Sequence, residues 1–353
     1  MTYPSLLIDR KKFQENASKM VEFLKSKNLD YHLVTKAFCA WPPLIEALHE
    51  LGIRNFADSR IINLKRLRPY SDSSLLTRIP QISEAAEVVE FADISLNSEL
   101  ATIQALNAAA KAQNKVHKII VMLEMGDLRE GMPLKQVPYI FPEIMDLEQI
   151  EVIGIGANFN CYGGVIPDFN LLHALAVVRE DLEHDYERKF PLISGGNSGS
   201  LHLLLAGQLP PEINHLRIGE AYLLGRETSY GKRVLDLHED VFTLRSEIIE
   251  IYDKPSVPRG KRGLNAAGER TEFIDQGIIK RGICAMGGQD VVPKGLRSLL
   301  PGVELLGNSQ DHTIFKLEGA GATLDVGDQL DFSLNYVSLV QAFTSEYVNK
   351  ELI

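Results

Sequence analysis

The chain is poor in cysteine. Its 353 residues hold three, Cys39, Cys161 and Cys284, widely spaced and without a CxxC pair. An odd, scattered set excludes a disulfide framework and a structural zinc site, and it points to a reducing compartment. Long apolar runs are missing as well. No stretch approaches the roughly 18 residues that a bilayer-spanning helix needs. The opening Met-Thr-Tyr-Pro-Ser has no basic-then-apolar secretory pattern. The sequence therefore reads as a soluble cytoplasmic protein with no membrane partner. Basic residues are outnumbered, 37 against 47 acidic ones, for a formal charge of −10. Nothing clusters the Lys and Arg side chains that phosphate neutralisation requires, so nucleic acid is not an expected partner. Low-complexity segments are absent too.

What is present is an ordinary globular composition, 45% apolar and 24% charged, with room for a sizeable core in one large or two medium domains. From about residue 30 to 228, short apolar segments alternate with amphipathic ones. Tyr31–Ala37, Asn55–Asp58, Leu75–Ile79, Asp93–Leu96, Ile119–Glu124, Val152–Ile155, Leu192–Ile193 and Leu216–Leu224 read as the strand series. Between them, segments such as Pro42–Leu51, Ile61–Leu67 and Ser98–Asn114 carry apolar residues at helical spacing. Eight buried parallel strands separated by helices predict an α/β fold, a (β/α)8 TIM-type barrel over residues 10–230. Beyond about residue 232 the pattern becomes strand-rich, with Gly, Asp and Asn turns, which predicts a mostly β C-terminal domain over 231–353. Ser5–Ile8 is a strand that precedes the barrel series and should pair elsewhere.

In such a barrel, functional groups sit at the C-terminal ends of the strands. Lys36, in VTKAFCA, falls there. A lysine in that place is awkward for packing but well suited to covalent chemistry, because a desolvated amine is a good nucleophile. Further polar groups share the location: Glu124, Asp127 and Arg129 in LEMGDLREGM; Asn158, Asn160 and Tyr162 in GANFNCYGG; Asn197 and Ser198 in SGGNSGS; Arg217 and Gly219 in LRIGEA. The Gly- and Ser-rich SGGNSGS loop opens a helix, so its backbone N–H groups suit a phosphate.

These motifs, with LNAAGE, AMGGQDV, GNSQDHTI and LNYVSLVQAFTSEYV, run in order over almost the whole chain. Together they resemble the alanine racemase-like enzymes that depend on pyridoxal 5'-phosphate, and within them the branch of ornithine and related amino-acid racemases. The resemblance implies a barrel followed by a β domain that the N-terminal strand joins (residues 1–9 with 231–353), and a homodimer in which that domain completes the partner's active site. It implies that Lys36 is the lysine holding the cofactor as a Schiff base. Arg217 looks like the partner of the pyridine nitrogen. Ser198 and the backbone at Gly219 and Glu220 look like the phosphate cradle, to which Tyr347 also reaches, with Asn197 beside them as a further cofactor-binding residue. Arg129 is similar to the arginine beside the cofactor's phenolate oxygen and the substrate carboxylate. Asn158 stands where alanine racemases have a histidine facing the ring.

An arginine holds its own proton at neutral pH, so the ring nitrogen should stay neutral. The resulting weaker electron sink favours simple return of a proton to Cα. Racemisation also needs an acid–base group on each face of Cα. Lys36 serves one face. The partner tyrosine that serves the other in alanine racemases has no counterpart in Asn265-Ala266-Ala267-Gly268-Glu269. Ser309, Asp311 and His312 in GNSQDHT, with Cys284 and Asp290, are the alternatives, and Asp311 and His312 are preferred. The expected activity is interconversion of L- and D-amino acids, with ornithine as substrate. A lyase or decarboxylase on the same scaffold and a non-catalytic cofactor carrier are the competing readings. No metal is expected.

Overall fold

The computed structural model describes residues 3–265 and 268–353. It consists of two compact units, Lys11–Glu239 and Met1–Arg10 with Asp240–Ile353.

Strand β1 (Ser5–Ile8) precedes the eight barrel strands: β2 (Asp30–Val34), β3 (Asn55–Asp58), β4 (Ser73–Leu76), β5 (Ile94–Asn97), β6 (His117–Glu124), β7 (Ile150–Gly156), β8 (Leu192–Ser194) and β9 (His215–Ile218). Each pairs in parallel with the next, and β9 pairs back onto β2, with Arg217 opposite His32 and Ile218 opposite Leu33. The sheet is closed, so none of the eight has a free edge. Side chains that point inward, among them Ala57, Leu75, Leu96, Ile120 and Met122, form one buried cluster. Burying a residue of the Leu or Met type stabilises the fold by about 1.5–3 kcal/mol. Gly154 sets the β7–β8 spacing: a Cβ there would lie 1.9 Å from the Leu192 carbonyl oxygen on the neighbouring strand.

The helices begin where their sequences say they should. Pro42 and Pro43 open Pro42–Glu50, where the missing N–H costs nothing. The Asp168 carboxylate accepts from Leu171 N at 2.8 Å to cap Phe169–Asp185. One expectation is corrected at the position that matters most. β2 stops at Val34, and Lys36–Phe38 forms a 3₁₀ turn rather than the end of a strand. Thr35 already has helical backbone angles, and Cys39 closes the turn in the left-handed region.

The other unit is an antiparallel sheet. Its strands are β10 (Phe242–Pro255), β11 (Ile278–Cys284), β12 (Leu296–Ser298), β13 (Val303–Asn308), β14 (Thr313–Leu317), β15 (Gln329–Leu334) and β16 (Asn349–Leu352), paired in the order β12-β15-β10-β11-β14-β13. β1 joins this sheet, antiparallel to β10 and parallel to β16. A helix, Tyr336–Thr344, is capped by the Asn335 side chain and lies where the sequence pattern had suggested no element. No helix among the described residues is long and apolar enough to cross a membrane.

Candidate active site

Lys36 leaves the barrel rim half-buried, on the first residue of the 3₁₀ turn. That turn is fixed from two sides. The Thr35 carbonyl accepts from Phe38 N at 3.1 Å and Ala40 N at 3.3 Å. The Thr35 hydroxyl donates to the Asp58 carboxylate at 2.6 Å. Asp58, at the end of β3, also accepts from Asn63 Nδ2 and Arg60 N, each at 3.0 Å. Burial raises the Asp58 pKa, while the Thr35 and Asn63 hydrogen bonds pull it the other way. Behind the turn, the Tyr222 hydroxyl donates to the Val34 carbonyl at 3.0 Å, and Phe13 packs edge-on against Phe38.

Arg217 is buried at the end of β9. Its Nη2 donates to the Ala157 carbonyl at 2.9 Å and its Nη1 to the Ser194 hydroxyl. No carboxylate pairs with it among the described residues. Burial brings its pKa down to about 10, the charge of Arg129 acting in the same direction and Glu130 against it. The guanidinium remains a cation at neutral pH.

The SGGNSGS loop turns sharply at Gly196, whose φ of +106° suits glycine; a Cβ there would sit 2.8 Å from Ser200 Oγ. The buried Ser198 hydroxyl accepts from Gly219 N at 3.3 Å and Ala221 N at 3.2 Å. This brings the loop after β8 against the start of the helix Glu220–Leu224. Asn197 takes Gly199 N on its Oδ1 at 2.7 Å and donates through Nδ2 to the Phe159 carbonyl at 2.8 Å and Asn158 Oδ1 at 3.2 Å. Asn158 is buried, and its Nδ2 has no acceptor among the described residues.

Asp127 turns out to be structural. Its buried carboxylate accepts from Cys161 N, Tyr162 N and Val165 N at 3.1–3.3 Å, clamping the loop after β7 to the loop after β6. Arg129 lies in the same loop and forms a two-pronged ion pair with Glu130. Burial would lower its pKa, but the Glu130 hydrogen bonds and the charges of Cys161, Glu130 and Asp127 outweigh that and raise it. Glu220 lies near Lys36. Burial pushes its carboxyl up to about 7, against the pull of the Lys36 charge.

The barrel unit thus gathers Lys36, Arg129, Asn158, Asn197, Ser198, Arg217 and Gly219 at strand ends. Tyr347, Asp311 and His312 belong to the other unit. Tyr347 is exposed. Asp311 and His312 are exposed in the turn between β13 and β14, where Asp311 Oδ1 accepts from Gln289 Nε2 at 2.7 Å and Ser309 Oγ from His312 N at 3.1 Å. Cys284 is buried, and burial drives its thiol up to about 12, which unsuits it to proton transfer near neutral pH. Asp290 is occupied by Gly287 N at 2.8 Å. Of the stretch that lacks the tyrosine, Ala266 and Ala267 lie outside the described residues. Among the described residues, no group of three or more His, Cys, Asp and Glu could hold a metal ion.

Thr35, Asp58 and Ser194 were not among the residues singled out from the sequence. Asp58 had a signal, since it closes β3 as Lys36 follows β2. Ser194 had none, because a serine opening a Gly-rich loop looks like part of the turn.

The donor set suits a phosphorylated, electron-poor aromatic aldehyde. It offers an amine at the rim, a buried guanidinium with no counter-ion, a hydroxyl with two backbone N–H groups at a helix start, and an amide N–H lacking an acceptor. A closed (β/α)8 barrel with such a rim has the groups that a cofactor-dependent enzyme needs. The model of the family described as alanine racemase, N-terminal domain, matches residues 8–226. The chain is 42% identical to the ornithine racemase of Acetoanaerobium sticklandii over 352 residues, 99% of this chain and 100% of that one. It is 38% identical to the lysine racemase of Thermotoga maritima, over 99% of this chain and 98% of that one. Among solved structures, the alanine racemase of Bartonella henselae with covalently bound pyridoxal phosphate superposes with a TM-score of 0.71 at 16% identity, covering 99% of each chain. The chain belongs to the alanine racemase family.

Proposed function

We infer that this protein is an amino-acid racemase dependent on pyridoxal 5'-phosphate and that ornithine is its substrate. The observation that carries this is end-to-end likeness to the ornithine racemase at 42% identity. Bound at the rim, pyridoxal phosphate supplies a conjugated ring that takes up the electron pair left when Cα loses its proton. The chain's own residues do the rest. Lys36 Nζ would hold the cofactor and would move a proton at one face of Cα. Arg217 would pair with the ring nitrogen and keep its own proton. Ser198, Asn197 and the N–H groups around Gly219 and Glu220 hold the phosphate, with Tyr347. Asn158 would face the ring. Arg129 orients the substrate carboxylate. Asp311 and His312 carry the acid–base group for the opposite face.

The protein acts as a homodimer in the cytoplasm, the β-rich unit of one copy completing the site of the other. Three scattered cysteines with no disulfide among the described residues support that compartment.

The test is incubation of the holoenzyme with a panel of L-amino acids in deuterated water, read by chiral chromatography and mass spectrometry. The reading predicts D-ornithine carrying one deuterium at Cα. Release of an aldehyde or of carbon dioxide without inversion would replace it with the lyase or decarboxylase reading. Faster inversion of lysine or alanine would keep the racemase and reassign its substrate.

A further inference from the structure

Beneath Arg217 the barrel interior holds an unbroken line of polar side chains. Arg217 Nη1 meets Ser194 Oγ. Ser194 Oγ lies 2.9 Å from His215 Nδ1, His215 Nε2 lies 2.8 Å from His32 Nδ1, and His32 Nε2 lies 3.0 Å from Ser73 Oγ. The two imidazoles meet at 66°, with centroids 5.1 Å apart. The line crosses β9, β8, β2 and β4. Ser194, His215 and His32 are all buried, whereas Ser73 is half-exposed.

The direction of every proton in this line follows from its two ends. A guanidinium can only donate, so Ser194 accepts from Arg217. Ser194 is buried, and its hydroxyl proton has no acceptor on the line other than His215 Nδ1. A buried donor left without an acceptor is costly. His215 Nδ1 is therefore bare and Nε2 carries the proton. That proton goes to His32 Nδ1, and His32 Nε2–H goes to Ser73, which can pass its own hydroxyl proton to water. Every buried proton then has a partner. The reverse direction would leave the Ser194 proton stranded.

Resting on the reading that Arg217 faces the cofactor ring, we propose that Ser194, His215 and His32 are positioning residues that aim Arg217 through one directional hydrogen-bond relay, without supplying it a counter-charge. A carboxylate could hold the guanidinium as firmly but would cancel its charge. A line of neutral groups holds it and leaves the charge whole. Burial disfavours the imidazolium in both rings, bringing His32 down to about 4 and His215 well below its ordinary value. Asp93, the acid whose charge acts on His32, accepts from Ser74 N and Oγ at 2.8 and 2.7 Å instead of joining the line.

The test uses protein labelled with ¹⁵N-histidine, with and without pyridoxal phosphate, in the native chain and in Ser194→Ala and Ser194→Thr. The relay predicts that His215 and His32 are both neutral with the proton on Nε2. In Ser194→Ala a second tautomer of His215 should appear, and kcat/KM should fall by about 10- to 100-fold, the loss expected for a hydrogen bond to a charged group. Ser194→Thr, which keeps the hydroxyl, should restore both. An Nδ1 proton or an imidazolium on either histidine of the native chain would overturn the relay. So would a Ser194→Ala variant whose tautomers are unchanged. If the apoprotein shows the expected tautomers but takes up no pyridoxal phosphate, the relay stands and the assignment of Arg217 falls.

Discussion

Thr35→Val probes how Lys36 is presented. The substitution keeps the shape of the side chain and removes its hydroxyl, which donates to Asp58 Oδ2 at 2.6 Å. Asp58 retains Asn63 and Arg60 as donors but loses the partner that ties it to the lysine turn. Deleting one hydrogen bond to a buried carboxylate costs about 1.5–3 kcal/mol. For a unit the size of the barrel each kcal/mol is about 2–4 °C in Tm, so the barrel transition should drop by about 4–8 °C for a 2 kcal/mol loss. Thr35→Ser keeps the hydroxyl and removes one methyl, worth about 0.8 kcal/mol if fully buried, and should lie much closer to the native value. Because Thr35 also anchors Phe38 N and Ala40 N through its carbonyl, the valine variant should additionally bind the cofactor more weakly, seen as slower growth of the visible absorbance on titration. Calorimetry of the three proteins, with that titration, decides the matter. A valine variant within 1 °C of native, or valine and serine variants equally destabilised, would refute the view that the Thr35–Asp58 hydrogen bond holds the turn.

Two further outcomes follow from burial. His32 and His117 sit at about 4 because burial disfavours their charged forms, so the unfolded chain binds more protons than the folded one between that value and about 6.5. Stability should therefore fall as the pH drops through that window, by about 2 kcal/mol per histidine at pH 5; Glu220, held up at about 7, works in the opposite sense as a single group. A His117→Asn variant should flatten the decline in a pH series of thermal melts, and a native Tm that stays level from pH 7 to pH 5 would contradict it. Thiol labelling of the apoprotein should modify the exposed Cys161 quickly and reach the buried Cys284, with its thiol near 12, only on unfolding; early modification of Cys284 would contradict its placement.

Much of the architecture was legible because barrel strands are short, apolar and regularly spaced. Asn55–Asp58 and Ile61–Leu67 were read with the same bounds that they have in the fold. The strand expected over Tyr31–Ala37 was too long because Thr35, Lys36 and Ala37 have nothing in their pattern to mark a turn. The strand stops where the Thr35 hydroxyl meets Asp58, 23 residues away in sequence. The helix Tyr336–Thr344 was hidden for another reason: Asn335 reads equally well as a turn residue and as a cap. The strand-end placement of the candidate site residues was legible because topology puts them on one rim. Their support was not. His32 and His215 look like ordinary interior histidines, and their 2.8 Å contact joins positions 183 residues apart. Arg129 was legible as a cation at the rim, whereas its ion pair to the adjacent Glu130 depends on a loop conformation that spacing does not encode.

Covalent trapping asks the decisive question, whether the Lys36 amine carries the cofactor as proposed. Holoenzyme reduced with borohydride and digested should yield a single phosphopyridoxyl-bearing peptide, with the added mass on Lys36. The mass on another lysine, or no modified peptide from a preparation that still inverts its substrate, would contradict the account.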